Sequence, residues 1–236
     1  MNETEKKIPE RQYRVDAATL RGDWPLLVLL GADIMYGLLM WPSMPEVVPT
    51  HWGMSGEADG YGPAWIIALG LPATALATYA LLLLLPLIDP RRRNYALFED
   101  TVRFLRWLLV LSTIGLHLVL VRVALGADID VDFVIRLGVA LLFTLLGNRM
   151  GRMRQNFFIG IRVPWTLSNE EVWNRTHRFA GRLWVVGGLA MIAAAFLPPP
   201  AGVAVFVAIA VVLVVVPIVY SWRVHREVGS AGDEVR

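Results

Sequence analysis

The sequence predicts an all-α, polytopic membrane protein with six transmembrane helices and an amphipathic interfacial helix before the fifth. Hydrophobic residues make up 56% of the 236 residues, and the mean hydropathy is +0.53. The apolar residues also come in six blocks, each close to the ~20 residues that an α-helix needs to cross a bilayer. Most of the charged residues lie between these blocks, as expected for loops that connect transmembrane helices.

The hydrophilic connections between the six predicted spans are alternately long and short. The first span is expected to remain as an anchor, because the residues before it are polar and no small-residue cleavage site follows. Glycines and alanines in the fifth favour close helix packing, and three consecutive prolines predict a tight hairpin between the fifth and the sixth. The fourth and fifth spans are somewhat short. The spans cover residues 24–41, 64–87, 104–125, 133–148, 183–197 and 201–222.

The distribution of charge predicts the orientation in the membrane. Of the 22 Lys and Arg residues, all except Arg122 and Arg136 lie in or beside the two tails and alternate loops. By the positive-inside rule these segments are inner, so we expect a multi-pass cell-membrane protein with both termini in the cytoplasm. This topology explains the basicity of the chain without direct nucleic-acid binding. The opposite side carries Glu46, Glu57, Asp59, Asp128, Asp130 and Asp132.

The sequence contains no established catalytic motif. The absence of cysteine excludes thiol catalysis, cysteine metal sites and disulfides. There is no HExxH motif, no P-loop and no GxSxG motif; the nearest match to the last, at residues 53–57, lacks the final glycine. We therefore expect a binding protein rather than an enzyme, with no cofactor.

The first outer connection, residues 44–65, is rich in glycine and proline. This composition predicts a tightly turned loop rather than a strand or a helix, with Asp59 and Gly60 in a turn. His51, Glu57 and Asp59 are ligand candidates because an imidazole and two carboxylates can converge on a divalent cation. Their spacing matches no established metal motif. The alternative is that the carboxylates bond backbone N–H groups of their own turn, while His51 caps a helix or meets Trp52.

The inner loop, residues 147–182, combines arginines with aromatic residues. Ser168 as N-cap and Glu171 three residues later predict a capping box at the start of a helix. That helix is amphipathic and is expected to lie on the lipid headgroups. Its apolar face comprises Val172, Trp173, Thr176, Phe179, Ala180 and Leu183, and its polar face comprises Glu170, Asn174, Arg175, Arg178 and Arg182.

An apolar run at residues 156–165 precedes this helix and is too short to cross a bilayer. It is interrupted by Gly160 and Pro164. Such a run must pack against the bundle, insert at the membrane interface or be covered by a partner. The arginines around it have a simpler interpretation, because each can pair with a lipid phosphate for about 1 kcal/mol near an anionic surface.

Two ionisable residues lie near the middle of predicted spans. Asp33 is in the middle of the first, and His117 is just past the middle of the third. An aspartate at the centre of a transmembrane helix costs about 2.5 to 3.5 kcal/mol, so Asp33 should face protein and have a partner. Arg122 and Arg136, near the outer ends of spans three and four, can extend outward or reach Asp33. The group is either a structural interhelical pair or a proton or ligand relay.

Two blocks of residues resemble a known family. The stronger block lies in the inner loop and comprises Asn156, Phe158, Ile159, Gly160, Ile161, Arg162, Pro164, Trp165, Thr166, Leu167, Glu170, Glu171, Val172, Trp173, Thr176, His177 and Arg178. The other comprises Pro49, Thr50, His51, Trp52, Gly53, Gly56, Asp59, Gly60, Tyr61 and Gly62. They are similar to the sporulation-delaying-protein toxin immunity family (SdpI-like) and to the N-terminal domain of unknown function that accompanies it.

The resemblance implies a membrane protein that confers resistance to a membrane-active peptide toxin. Some members of this family also signal by holding a cytosolic autorepressor at the membrane. The implied partners are therefore membrane lipids, the toxin and a cytosolic repressor. The inner-loop residues expected to bind a partner are Arg162, Trp165, Trp173, Arg175, His177 and Arg178.

Two other classes of function remain open from the sequence. A small proton-coupled transporter would use Asp33 and His117. A membrane-embedded hydrolase would hold a metal at His51, Glu57 and Asp59.

The resemblance also suggests a division of the chain. A cytoplasmic tail, residues 1–23, precedes a two-span N-terminal domain with the outer loop, residues 24–87. Residues 88–130 form a linker and the third span. An immunity-type domain with the inner loop follows at residues 131–222, and residues 223–236 form a second cytoplasmic tail.

Overall fold

The computed structural model describes residues 13–233 of the chain, so parts of the predicted tails, residues 1–12 and 234–236, lie outside the described residues. Two short turns border the first two spans: a 3₁₀ turn, Trp41–Ser43, and a π-helical turn, Ile66–Gly70. The elements in chain order are α1 (Ala17–Met40), β1 (Val47–Trp52), β2 (Ala58–Pro63), α2 (Leu71–Ile88), α3 (Arg92–Tyr95), α4 (Glu99–Ala124), α5 (Val131–Met150), α6 (Pro164–Ser168), α7 (Glu170–Ala195) and α8 (Ala201–Asp233).

The prediction of six membrane-spanning helices is confirmed. Six helical segments of the described chain are long and apolar enough to cross a bilayer. Much of their apolar surface is not covered by other parts of the protein: in the last segment, mean hydropathy reaches 3.2 while only 17% of its apolar stretch is buried. Such an outer surface is suited to lipid, so the chain is a multi-pass membrane protein. The segments are Ala17–Ser43, Ile66–Ile88, Glu99–Ala124, Val131–Met150, Glu170–Ala195 and Ala201–Ser230.

Several helices begin well before the apolar blocks that predicted them. The first starts at Ala17, because the Asp16 side chain accepts a hydrogen bond from the Thr19 backbone at 2.9 Å and caps the helix. The third span starts at Glu99 and the fifth at Glu170. Hydropathy marks only the part of a helix that lies in lipid, so charged first turns are missed.

The amphipathic segment of the inner loop differs from its prediction in two ways. It is the first half of α7 and runs into the fifth span without a break, instead of forming a separate helix. Its N-cap is Asn169, whose side chain accepts hydrogen bonds from the Glu171 and Val172 backbone at 2.8 and 3.1 Å. Ser168 is not the cap, because it ends α6 and its hydroxyl donates to the Trp165 carbonyl.

The prediction of an irregular outer loop is wrong, because residues 47–63 form an antiparallel β-hairpin. Asp59 and Gly60 lie in its second strand, and the turn is at residues 53–57, where Gly56 has a φ of +83°. Proline is tolerated at Pro49 because both strands of a two-stranded sheet are edges and need no outward hydrogen bond. The hairpin packs on the ends of α4 and α5 through Val48, which is 1% exposed.

The bundle has two ends with different connections. We call the end with residues 89–98 and 151–169 the basic end, and the end with the hairpin and residues 125–130 the acidic end. Within the bundle, α2 packs along α4, and α7 packs between α5 and α8. Glycines permit the closest approaches: a Cβ on Gly147 of α5 would lie 2.8 Å from the Gly181 carbonyl oxygen of α7.

Candidate functional site

The connection between α5 and α7, residues 151–169, is folded around one buried amide. The Asn156 side-chain oxygen accepts hydrogen bonds from the backbone N–H groups of Phe158 and Ile159, at 3.0 and 2.6 Å. Its side-chain nitrogen donates to the carbonyls of Arg154 and Ile159. Asn156 is fully buried, so these bonds replace the water that an irregular segment would otherwise need. The segment is therefore a fixed structure.

A second buried group ties this connection to the first half of the chain. The Asp89 carboxylate accepts hydrogen bonds from the Phe157 backbone and the Tyr95 hydroxyl, both at 2.9 Å, and from the Arg91 backbone at 2.7 Å. Burial and the neighbouring Asp89 carboxylate raise the pKa of Tyr95, so its hydroxyl remains a donor at neutral pH. Arg91 also donates to the Leu167 carbonyl at 2.7 Å. The two basic-end connections thus form one unit.

Trp173 and His177 form the floor of this unit on α7. Their rings stack with centroids 3.9 Å apart, and both side chains are buried. The Trp173 indole N–H donates to the Met153 carbonyl at 3.0 Å, and His177 Nε2 accepts from the Ile161 backbone at 3.0 Å. His177 Nδ1 lies 2.9 Å from the Trp173 carbonyl, which can only accept. This geometry requires a neutral imidazole with its proton on Nδ1.

Gly160 allows the connection to reach His177. Its φ is +113°, which L side chains rarely adopt, and a Cβ there would lie 2.4 Å from His177 Nε2. The glycine is therefore required both by its backbone conformation and by the close approach of the imidazole.

The six inner-loop residues predicted to bind a partner differ in accessibility. Trp173 and His177 are buried, so neither side chain is accessible to a partner in this conformation. Arg162 and Arg178 are exposed. Arg175 is 33% exposed and bonds Glu227 of α8 at 2.7 Å, with Glu171 at 3.8 Å.

The sixth residue, Trp165, links the connection to α8. Its indole N–H donates to the Ser221 hydroxyl at 2.8 Å, and its ring stacks on His225. The apolar run at residues 156–165 therefore packs on the bundle, with Ile159 and Ile161 against Met150 and Met153. Part of the run remains accessible at the protein surface, because Phe157 is 39% exposed.

On the hairpin, the structure brings together two of the three ligand candidates. His51 Nδ1 lies 2.5 Å from Asp59 Oδ1 across the strands, and both side chains are more than half exposed. Glu57 lies in the turn and makes no side-chain bond with either of them among the described residues. No group of three or more His, Asp or Glu able to hold a metal occurs in residues 13–233. The pair is a cross-strand contact instead of a helix cap.

Inside the bundle, Asp33 of α1 and His117 of α4 form a direct pair. Asp33 Oδ1 lies 2.6 Å from His117 Nδ1, and both side chains are at most 1% exposed. Asp33 Oδ2 and His117 Nε2 have no hydrogen-bond partner among the described residues. The Tyr36 and His117 rings are nearly perpendicular with centroids 6.0 Å apart, and Gly37 allows α1 to approach this position.

Neither predicted arginine reaches Asp33. Arg136 pairs with Asp132 at 2.5 Å and donates to the carbonyls of Ala194 and Leu197, which joins α5 to the end of α7. Arg122 is exposed at the acidic end. Arg136 therefore stabilises the contact between α5 and α7 and does not pair with Asp33.

A second buried ion pair is not anticipated by the sequence patterns. Asp23 of α1 and Arg106 of α4 lie 2.5 Å apart, with side chains at most 2% exposed. Asp23 also accepts from the Trp107 indole at 2.9 Å and from the Tyr79 hydroxyl at 3.3 Å. Asp23 immediately precedes Trp24 and the first apolar block, and Arg106 lies at the start of the third block, immediately before Trp107. A charged residue directly before a tryptophan, at the edge of an apolar block, is the signal that points to such a pair.

The fold and these sites together define the class: a multi-pass helical membrane protein with an ordered connection at its basic end. The comparisons with known proteins then show what the chain is similar to. Residues 152–221 match the SdpI/YfhL protein family, and residues 28–76 match a domain of unknown function, DUF1648. These matches confirm the family resemblance that the sequence indicates.

One curated relative is similar over most of the chain. The immunity protein SdpI of Bacillus subtilis (strain 168) is 24% identical over 212 residues, which cover 87% of this chain and 96% of the relative. No solved structure matches the chain significantly. The SdpI/YfhL match includes the α5–α7 connection from Arg152 onward, all of α7 and most of α8.

Proposed function

We propose that this protein is an immunity protein of the cell membrane, which protects its cell from a membrane-active peptide toxin by binding rather than catalysis. The observation that carries the proposal is the similarity to an immunity protein over 96% of that relative's length. The matched family region includes the Trp173–His177 floor and the residues folded over it, so the similarity extends to this hydrogen-bonded unit.

We propose that the two ends have different partners. By the positive-inside rule, the basic end faces the cytoplasm and the acidic end faces outward, where the toxin arrives. At the acidic end, an apolar groove of about 430 Å³ lies between Trp41 and Trp65, beside Glu46. At the basic end, the exposed Arg162 and Arg178 would contact a cytosolic repressor.

This division of roles predicts that signalling and resistance can be separated. The double charge reversal Arg162→Glu and Arg178→Glu should lower membrane recruitment of a fluorescent repressor roughly tenfold, as expected for the loss of about 1.4 kcal/mol of surface contacts. Survival under the sporulation-delaying toxin should stay at the wild-type level, because neither arginine lies near the acidic end. Both quantities are measured in the same toxin-sensitive strain.

Arg226→Glu is the matched control. Arg226 is also exposed and basic, but it lies on α8, over the ring of Trp222, outside the α5–α7 connection. Recruitment should be unchanged in this variant. A loss of survival in the double variant at normal membrane levels would contradict the separation, and a strain that gains no resistance from the wild-type protein would contradict immunity itself.

A second candidate function, proton-coupled transport, is favoured by the Asp33–His117 pair. A buried carboxylate and imidazole 2.6 Å apart, each with one unpartnered atom among the described residues, can exchange a proton. As a structural pair, the same contact only joins α1 to α4.

The variant Asp33→Asn distinguishes these roles. We expect it to lower thermal stability in detergent by about 1–3 kcal/mol, because His117 loses the carboxylate that contacts it in a buried site. Asp128→Asn, at an exposed carboxylate of the acidic end, is the control and should leave stability unchanged. Transport would be supported instead if Asp33→Asn kept its stability but lost a proton flux that the wild-type protein shows in proteoliposomes.

A further inference from the structure

A groove at the basic end has a composition that none of the sites above explains. It opens between α1, α4 and α5, with a volume of about 540 Å³. It lies where the charged first turns of α4 meet the apolar part of the span, which is the level of the lipid headgroups. Its lining comprises Gly22, Asp100, Arg103, Phe104, Trp107 and Arg149.

Two arginines of the groove have free donors. The Arg149 guanidinium lies 4.5 Å above the Phe104 ring and is half-buried, and it has no hydrogen bond or ion pair within residues 13–233. Within residues 13–233, Arg103 forms one ion pair, at 3.2 Å, with Asp100, whose side chain is 86% exposed. An ion pair this exposed is weak, so Arg103 remains able to bind another anion.

The rest of the lining suits a ligand with both a charged and an apolar part. Phe104 and Trp107 provide an aromatic wall, and the Trp107 ring is fixed by its hydrogen bond to Asp23. Gly22 leaves the side toward α1 open, because it has no side chain to fill the groove. Tryptophan beside arginine at this depth is typical of a membrane interface.

We propose that this groove binds the phosphate headgroup of an anionic phospholipid. The two guanidiniums present planar sets of N–H donors that match phosphate oxygens, and their combined charge exceeds that of Asp100. Arg106 does not add to the site, since it is paired with Asp23. The acyl chains would lie along the apolar outer surfaces of α4 and α5. The proposal does not depend on the toxin or on the repressor.

The test measures lipid binding to the delipidated, full-length protein in detergent. Phosphatidylglycerol should raise the melting temperature in a saturable way, whereas phosphatidylcholine and inorganic phosphate should not. The double variant Arg103→Gln and Arg149→Gln should bind phosphatidylglycerol roughly tenfold more weakly or worse, because two charge-assisted contacts are lost. The control Arg122→Gln with Arg226→Gln removes the same charge elsewhere and should bind like the wild type.

A steric variant keeps the test decisive if the double variant does not fold. Gly22→Leu places a side chain in the groove without changing the charge, and it should also weaken binding of phosphatidylglycerol. Equal binding of phosphatidylglycerol by the wild type and Gly22→Leu would overturn the proposal. A melting shift with inorganic phosphate as large as that with phosphatidylglycerol would also overturn it, because the site would then recognise a free anion.

Discussion

Gly160→Ala is expected to unfold the α5–α7 connection and to abolish both resistance and repressor recruitment. The backbone at φ +113° would be strained by about 1–3 kcal/mol for alanine. The new Cβ, 2.4 Å from His177 Nε2, would also break the hydrogen bond from the Ile161 backbone and leave the buried His177 acceptor unpaired, for about 1–3 kcal/mol more. The total of about 2–6 kcal/mol is large against the marginal stability of a typical fold.

Gly126→Ala separates the two contributions. Gly126 has a similar positive φ of +89°, but a Cβ there would meet no atom within 4 Å. This control therefore carries backbone strain without the clash, and it should retain resistance with a smaller loss of stability. Thermal unfolding in detergent and survival under toxin are measured for both variants. Equal losses in the two variants would show that the contact with His177 contributes nothing.

A single glycine can have so large an effect because the basic end is cross-linked by hydrogen bonds. Asp89 joins the two connections, Asn156 folds one of them, and Tyr95 donates to Asp89 and, at 3.3 Å, to Asn156. Tyr95 also packs with Tyr13 and Phe98 in a small aromatic core. Displacement of residues 160 and 161 therefore disturbs contacts that reach back to the first half of the chain.

Hydropathy was sufficient to predict the six spans, because the burial of about 20 apolar residues in lipid dominates their energetics. It was insufficient for the helix starts. The charged turns before Phe104 and before Leu183 are helical because their polar side chains are exposed or paired, as at Glu171 and Arg175. The hairpin was missed for a related reason: the glycines and prolines that predict a loop are also compatible with two edge strands.

The pairing of buried polar groups could not be predicted from the chain alone. Asp33 and His117 were recognisable as intramembrane residues, yet their spacing of 84 positions contains no signal that they meet. The same holds for Asp89 and the backbone of Phe157, which are 68 positions apart. These contacts depend on how the helices are arranged.

The limits of the domains proposed from the sequence remain predictions.

The Asp23–Arg106 pair gives the second large expected effect. Replacing either residue alone, Asp23→Leu or Arg106→Met, should destabilise the protein by about 3–5 kcal/mol, because an uncompensated charge would remain in a buried site. The double variant should recover most of this loss, since two apolar side chains can replace a buried ion pair without leaving a charge. Thermal unfolding in detergent measures all four proteins.

The double-mutant cycle then gives the coupling between the two charges. The Trp107 indole and the Tyr79 hydroxyl limit the recovery, because both lose their acceptor when Asp23 becomes leucine. Asp23→Asn separates this contribution, since asparagine keeps an acceptor oxygen for them but removes the charge that pairs with Arg106. If the losses of the two single variants simply add in the double variant, the charges are not coupled. Asp23 would then stabilise α1 against α2 and α4 through its hydrogen bonds to Tyr79 and Trp107, and Arg106 would contribute through packing against the Tyr79 ring, which it faces at 5.7 Å.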